Sequence, residues 1–204
     1  AKRAVETAKV TSERRKIIEE PVMLPRVAMG WLSAPFYAPG DAEADILAFI
    51  LGAGKSSRLY KRLVYEPEIA QNVSAHQQSN ALASIFTVEV TGRPGVDPKK
   101  LEEQIEKVLD EIRQTAPSDR EVLRARNMLT TSTIKGLQQI GGFGGKADML
   151  NRYNQYRGDP GYLAEDLARY SSMTPEIVTQ TAKKLLDPKA RTVTVTVPAK
   201  GGES

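Results

Sequence analysis

The chain has 204 residues, of which 40% are hydrophobic and 26% charged, and its net charge at pH 7 is +4. It contains no cysteine, which excludes disulfides, cysteine zinc sites and thiol catalysis. No apolar run approaches the roughly 18 residues of a membrane-spanning helix, and the basic residues are interleaved with acidic ones rather than clustered as nucleic-acid binding requires. Neither a membrane span nor a nucleic-acid partner is therefore expected.

Histidine occurs only once, at His76. A single imidazole rules out the paired histidines of most catalytic zinc sites, and any Ser-His-Asp triad would have to use this residue. The surrounding run, Ala75 to Ser79, has the pattern of a strand, which favours a partly exposed strand histidine. We therefore predict no metal ligand and no catalytic residue in this chain.

Composition divides the chain into three parts. Residues 1–24 are charged and are interpreted as a linker or the tail of a preceding domain. Residues 25–198 contain the periodic apolar patterns of one folded domain, and residues 199–204 are expected to form a disordered tail. The absence of an initial methionine and of a signal peptide suggests a fragment of a longer polypeptide.

The first half of the domain alternates between strand and helix patterns. A helix over 41–51 has Asp41 as its candidate N-cap, and a shorter helix is expected over 57–64, with Leu59 and Leu63 facing inward. Strands are predicted over 26–33, 69–76 and 85–91.

The second half is mainly helical. A helix over 98–114 has a clear apolar stripe: Leu101, Ile105, Val108, Leu109 and Ile112. The next long helix is opened by a capping box at Ser118, and its predicted inward stripe is Val122, Leu123, Ala125, Met128, Leu129, Ile134 and Leu137. Further helices over 146–156, 162–170 and 175–186 precede a closing strand over 191–197. The predicted fold class is α+β, with a mostly antiparallel sheet covered on one face by helices.

Two glycine clusters interrupt the helices. In the first, Leu51 to Tyr60, Gly52 and Gly54 are expected to end one helix, and Ser56 or Ser57 to cap the next. Gly54-Lys55-Ser56 matches the end of a phosphate-binding loop, but Phe49 occupies the position of that motif's first glycine. A helix–glycine–helix corner is therefore favoured over a nucleotide site.

The second cluster, Gly141 to Gly145, is interpreted as a helix break in which small residues pack closely. The alternative is an anion-binding nest completed by Lys146. The polar and aromatic run from Asn151 to Tyr156 is interpreted as a hydrogen-bonded interface rather than a base-stacking surface, because it lies on a helix.

Both glycine clusters resemble motifs of one protein family. They are similar to the C-terminal, non-catalytic domain of the M16 (pitrilysin-like) zinc metallopeptidases, which are related to the mitochondrial processing peptidase and to core subunits of respiratory complexes. The resemblance extends over roughly 25–198. Its structural-motif residues are Gly52, Gly54, Ser57, Arg58, Leu59, Tyr60, Gly141, Gly142, Gly144, Gly145 and Lys146.

The resemblance implies a role beside a second, zinc-bearing half. Catalytic M16 domains carry a His-x-x-Glu-His motif, which is absent here. No cofactor is therefore expected in this chain, zinc is expected in the partner half, and the parent protein is expected to be a zinc metalloendopeptidase. The implied partners are a peptide or protein substrate and the zinc-bearing domain, on the same or another chain; a homodimer is compatible with the family. The resemblance favours a bacterial, exported or periplasmic location, which the residues themselves do not fix.

The family pattern is incomplete at two positions. Many partner domains supply an Arg and a Tyr, seven residues apart, that help hold the substrate carbonyl; aligned on the first cluster, these positions are Val64 and Gln71. Valine has no polar group to polarise a carbonyl, so no catalytic residue is assigned. Gln71 retains an amide donor and is the one candidate for lining the substrate chamber. The alternative function is a purely structural or assembly subunit without proteolysis.

Overall fold

The computed structural model describes residues 8–199, which form five strands and six α-helices with one π-helical turn. In chain order the elements are β1 (Arg14–Glu20), β2 (Arg26–Ser33), α1 (Asp41–Gly52), the π turn (Tyr60–Tyr65), β3 (Ala70–Gln78), β4 (Ser84–Gly92), α2 (Pro98–Gln114), α3 (Asp119–Gly136), α4 (Lys146–Arg157), α5 (Leu163–Ser171), α6 (Pro175–Leu185) and β5 (Arg191–Pro198).

The strands form a single sheet in the order β1-β5-β2-β4-β3. The pairing of β1 with β5 is parallel, and the other three pairings are antiparallel. Alternate residues of the central strands point into the core, as the period of two requires. Val27, Met29 and Trp31 of β2 and Val88 and Val90 of β4 are buried. The α+β fold with a mostly antiparallel sheet is thus confirmed.

Most predicted elements are confirmed with small shifts at their ends. All five apolar residues of the α2 stripe are buried, as are Leu59 and Leu63. The predicted helix over 57–64 differs in type, because residues Tyr60–Tyr65 form a π-helical turn. Gly40, rather than Asp41, occupies the N-cap of α1, with φ of 100°. Glycine adopts this left-handed conformation without the penalty that a Cβ would add.

The segment interpreted as a linker contributes a strand to the sheet. Residues Arg14–Glu20 form β1 at one edge, and Arg15 forms an ion pair with Glu102 of α2. Backbone pairing with β5 fixes this charged strand even though most of its side chains remain exposed. At the other end, the backbone N–H of Ala199 donates to the carbonyl oxygen of Glu20 at 2.8 Å. Residues 1–7 of the predicted linker and 200–204 of the predicted tail lie outside the described residues.

The stripe predicted for α3 is wrong at three of its seven positions. Val122 and Ala125 are buried, but Leu123 is 52% exposed, Met128 43% and Ile134 48%. Helix α3 packs against α1 and α5. Apolar residues therefore occupy its solvent-facing side as well, and the apolar pattern alone does not distinguish the two sides.

Candidate functional site

The first glycine motif forms a tight corner between α1 and the edge strand β3. A Cβ on Gly52 would overlap the backbone nitrogen of Ala75 and lie 2.8 Å from its Cβ. Gly54 has φ of 72°, in the left-handed region. Ser57 is buried, and its hydroxyl donates to the Gly54 carbonyl oxygen at 2.8 Å. The serine hydroxyl thus closes the turn as a hydrogen-bond donor, whereas the predicted N-cap would accept a hydrogen bond from a backbone N–H.

Arg58 ties this corner to the start of α3. Its guanidinium donates to the two carboxylate oxygens of Glu121 at 2.8 and 3.2 Å, and Glu121 also closes the capping box with Ser118. Although burial acts to raise the pKa of Glu121, the hydrogen bonds from Arg58 and Ser118 lower it to about 2. The pair therefore remains ionised at neutral pH and fixes the corner against α3.

The two positions aligned with the family's Arg and Tyr lie on the two elements that follow this corner. Val64 belongs to the π turn and packs, partly buried, against the main core. Gln71 is exposed on β3, at a bulge between Ala70 and Asn72. A bulge redirects the side chain at an edge strand. Gln71 therefore remains accessible to a ligand, and Val64 offers only apolar surface.

The second glycine motif is a closed loop between α3 and α4. The backbone N–H groups of Gly145, Lys146 and Ala147 donate to carbonyl oxygens within the loop, and that of Gly144 donates to the Asp148 carboxylate at 2.9 Å. These four donors are already used, so they are not available to an anion-binding nest. The helix-break interpretation fits this geometry.

The glycines of this loop have different roles, although close packing was expected at all four. A Cβ on Gly145 would lie 2.5 Å from the carbonyl oxygen of Gly141, so this position is tightly packed. Gly142 and Gly144 have positive φ values of 84° and 77° with open space around them, so they serve backbone conformation. Gly141 has no positive φ and open space at its own Cβ position, so only its carbonyl oxygen takes part in the close packing.

A buried polar cluster at the start of α1 was not predicted from the sequence. Asp41 is 2% exposed and accepts hydrogen bonds from the Ser79 hydroxyl at 2.6 Å and from the Tyr37 backbone N–H at 2.9 Å. Arg169 of α5 donates to the same carboxylate at 3.3 Å and lies 3.2 Å from Asp166. These residues line a cavity of about 270 Å³.

Two tyrosine hydroxyls complete the cluster. Tyr153 donates to Asp166 and Tyr170 donates to Asp45, each at 2.7 Å. Burial raises the pKa of Asp45 from 3.8 to about 7, with the hydrogen bond from Tyr170 opposing the shift. Burial likewise raises the pKa of Tyr37 to about 12. The cluster thus combines an ion pair with a carboxyl group whose pKa is raised.

Aromatic rings pack around this polar cluster. Tyr37 contacts the rings of Tyr153 and Tyr162 at centroid distances of 5.6 and 5.8 Å, and Phe36 stacks on Tyr156 at 5.2 Å. Arg169 lies over the Tyr37 ring at 5.0 Å. This packing joins α4 and α5 to the loop before α1, so the cluster acts mainly as a second core.

The sequence contained a partial signal for this cluster. Asp41 and Asp45 are spaced i, i+4 on a mainly apolar helix, and Asp166 and Arg169 are spaced i, i+3. Such spacing places two charges on one helical face. That these faces meet is a property of the tertiary structure, because α1 and α5 are separated by more than 100 residues.

The described residues do not fit a zinc site. Between residues 8 and 199, no group of three or more histidines and carboxylates is placed to hold a metal ion. The single histidine, His76, lies exposed on β3. In the same part of the chain, no helix is long and apolar enough to cross a membrane.

The family of the chain follows from a direct match. Residues 1–129 match the model of the peptidase M16 inactive domain. The chain therefore belongs to the peptidase M16 inactive-domain family, and the resemblance drawn from its two glycine clusters is confirmed.

Curated relatives are zinc proteases. The chain is 27% identical over 161 residues to an uncharacterized zinc protease of Streptomyces coelicolor, covering 72% of this chain and 33% of that protein. It is 29% identical over 93 residues to the zinc protease PqqE of Helicobacter pylori, covering 46% of this chain and 21% of that protein. The matches thus span a third or less of these longer relatives.

Solved structures share the fold. A protease from Helicobacter pylori superposes with a TM-score of 0.83 at 19% identity, covering 97% of this chain and 48% of that one. A peptidase M16 inactive domain from Pseudomonas fluorescens superposes with a TM-score of 0.78 at 16% identity, covering 98% of this chain and 47% of that one. The present fold accounts for about half of each.

Proposed function

We propose that this chain is the non-catalytic partner domain of an M16-type zinc endopeptidase, closing the peptide-binding chamber opposite a zinc-bearing half. Membership of the inactive-domain family carries this proposal. Two further observations support it: residues 8–199 hold no metal-ligand group, and the chain covers only a third or less of its zinc-protease relatives. The zinc and the catalytic groups then belong to the other half.

The sheet provides a surface suited to a chamber wall. Leu32 and Ile85 are cross-strand partners on the face opposite the main core, and they are 37% and 43% exposed. His76 is on the same face, directly opposite Thr87.

The outer edge of β3 provides a second mode of contact. This strand is the last in the sheet order and pairs with β4 on one side. An extended peptide can pair with the free backbone groups of an edge strand, while side-chain contacts add selectivity. Gln71 lies on this strand, where its amide is available to a bound peptide.

The test begins with the native protein, isolated with an antibody to this domain. Its polypeptide mass, its zinc content and its hydrolysis of a fluorogenic peptide library are measured together. We expect stoichiometric zinc in a longer chain or a co-purifying chain, and peptide hydrolysis that a chelator abolishes and added zinc restores. Zinc bound stoichiometrically to residues 1–204 alone would overturn the proposal.

The alternative is a structural subunit of the same fold, without proteolysis. It is favoured by one specific observation: Val64 and Gln71 occupy the positions where the family resemblance places a substrate-holding Arg and Tyr. The discriminating measurement is the sequence of the other half. A native assembly with neither a His-x-x-Glu-His motif nor zinc supports this alternative.

A further inference from the structure

Several apolar side chains are exposed in the chain segment that runs from α3 through the glycine loop to α4. We call this the α3–loop surface, and its residues are Leu123, Met128, Ile134, Ile140, Phe143 and Leu150. Phe143 at the loop tip is fully exposed and Ile140 is 85% exposed. Single exposed apolar residues are common, but a grouped set with an exposed aromatic at its tip is typical of an interaction site.

The tip of this surface is held in place. A Cβ on Gly136, at the end of α3, would lie 2.6 Å from the carbonyl oxygen of Gly144, so the loop folds directly against the helix. The Gly144 N–H is bonded to Asp148. Phe143 is therefore presented on a closed loop, and a preorganised anchor loses less entropy on binding than a flexible one.

Basic residues accompany the apolar ones. A groove of about 630 Å³ follows α3, and its lining includes Leu123 and Met128 together with Arg120, Arg124 and Lys135. Such a surface complements a partner whose contact face is apolar at its centre and acidic at its margin.

We propose that the α3–loop surface docks this domain onto the zinc-bearing half, with Phe143 as the anchor residue. This inference rests on the proposed function. The occupant follows from chain length: the solved chains that share this fold contain about as much again outside it. A second half of that size would be large enough to cover this apolar surface. Because the surface has basic residues at its margin, we expect acidic residues on the part of the zinc-bearing half that contacts it.

The test uses the full native protein with the photo-crosslinking residue p-benzoylphenylalanine in place of Phe143. After irradiation, the crosslinked peptides are mapped by mass spectrometry. We expect the major crosslink to join position 143 to a peptide of the half that contains His-x-x-Glu-His, near acidic residues. The control carries the same residue at Leu82, which is 55% exposed in the β3–β4 turn, and is expected to give at least tenfold less of this product.

A second measurement compares Phe143→Asp with Leu82→Asp in the same full protein. We expect limited proteolysis between the two halves to be accelerated about tenfold by Phe143→Asp and not by Leu82→Asp, with circular dichroism unchanged in both. Equal proteolysis of the two variants would overturn the proposal. Crosslinks from position 143 to a second copy of this domain or to lipid would also overturn it. The same holds if the crosslink yield at position 143 does not exceed the yield at position 82.

Failure of this proposal is distinguishable from failure of the proposed function. A native protein without a zinc-bearing half contradicts the proposed function, whatever position 143 contacts. A zinc-bearing half that is present but not crosslinked contradicts only the docking surface.

Discussion

Gly52 lies directly against Ala75, with no room for a side chain between them: a Cβ on Gly52 would lie 2.8 Å from the Ala75 Cβ and closer still to its backbone nitrogen. This contact seats the end of α1 on the edge strand β3. It thereby links the first glycine motif to the strand proposed to receive peptide.

The first prediction concerns this contact. Gly52→Ala is expected to destabilise the domain by about 3 kcal/mol, because a backbone segment rather than a flexible side chain must move. Chemical denaturation measures the change. Gly141→Ala is the matched control, since Gly141 has open space and no positive φ, and it is expected to change the free energy of unfolding by less than about 0.5 kcal/mol. Equal effects of the two substitutions would show that the Gly52 contact is unimportant.

The second prediction separates strain from packing in the glycine loop. Gly144→Val is expected to lower the melting temperature, because a β-branched residue is strained at φ of 77°. Gly144→Asn is expected to lower the melting temperature less, since asparagine tolerates the left-handed region. Thermal unfolding followed by circular dichroism measures both. Identical losses would point to crowding, which the open space around Gly144 argues against.

The third prediction is a pH dependence from Asp45. The pKa of Asp45 is about 7 in the folded protein, compared with the ordinary value of 3.8. Between pH 3.8 and about 7 the folded protein therefore holds a proton on Asp45 that the unfolded chain has lost. The contribution of Asp45 to the free energy of unfolding is therefore highest below about pH 4. It falls by a few kcal/mol as the pH rises towards 7. Asp45→Asn keeps an acceptor for the Tyr170 hydroxyl and is expected to remove this loss.

Urea unfolding from pH 4 to 8 checks the effect of Asp45→Asn. The stability gained by the variant relative to wild type should grow with pH and level off above about 7. Glu165→Gln, on the exposed side of α5, is the control and should show no such trend. Parallel curves for Asp45→Asn and wild type would mean that Asp45 is ionised in the folded state throughout this range.

The fourth prediction concerns the second core. Tyr153→Phe removes the hydroxyl that donates to Asp166 at 2.7 Å and leaves a buried carboxylate with one partner fewer, so a loss of about 1–3 kcal/mol is expected. Tyr156→Phe is the comparison, because Tyr156 is only half-buried and contributes by stacking its ring on Phe36. Equilibrium denaturation should show a clearly smaller effect for Tyr156→Phe. Comparable values would mean that the Tyr153 hydroxyl contributes no stability.

The sequence pattern was sufficient to predict those elements in which the apolar residues are also the buried ones. The apolar stripe of α2 predicted which side of the helix is buried, because one side of that helix is clearly more polar than the other. The absence of a catalytic zinc motif and the two glycine clusters likewise followed from residue identity, without knowledge of the fold.

Tertiary structure decided the features that depend on where elements meet. Charged β1 becomes a strand because β5 offers it backbone hydrogen bonds, which residue type does not encode. Apolar Leu123 and Ile134 remain exposed although α3 packs against α1 and α5. Asp45 and Tyr170 meet only because α1 and α5 pack together. Local periodicity records which residues share a face, whereas the partner of that face is fixed by long-range packing.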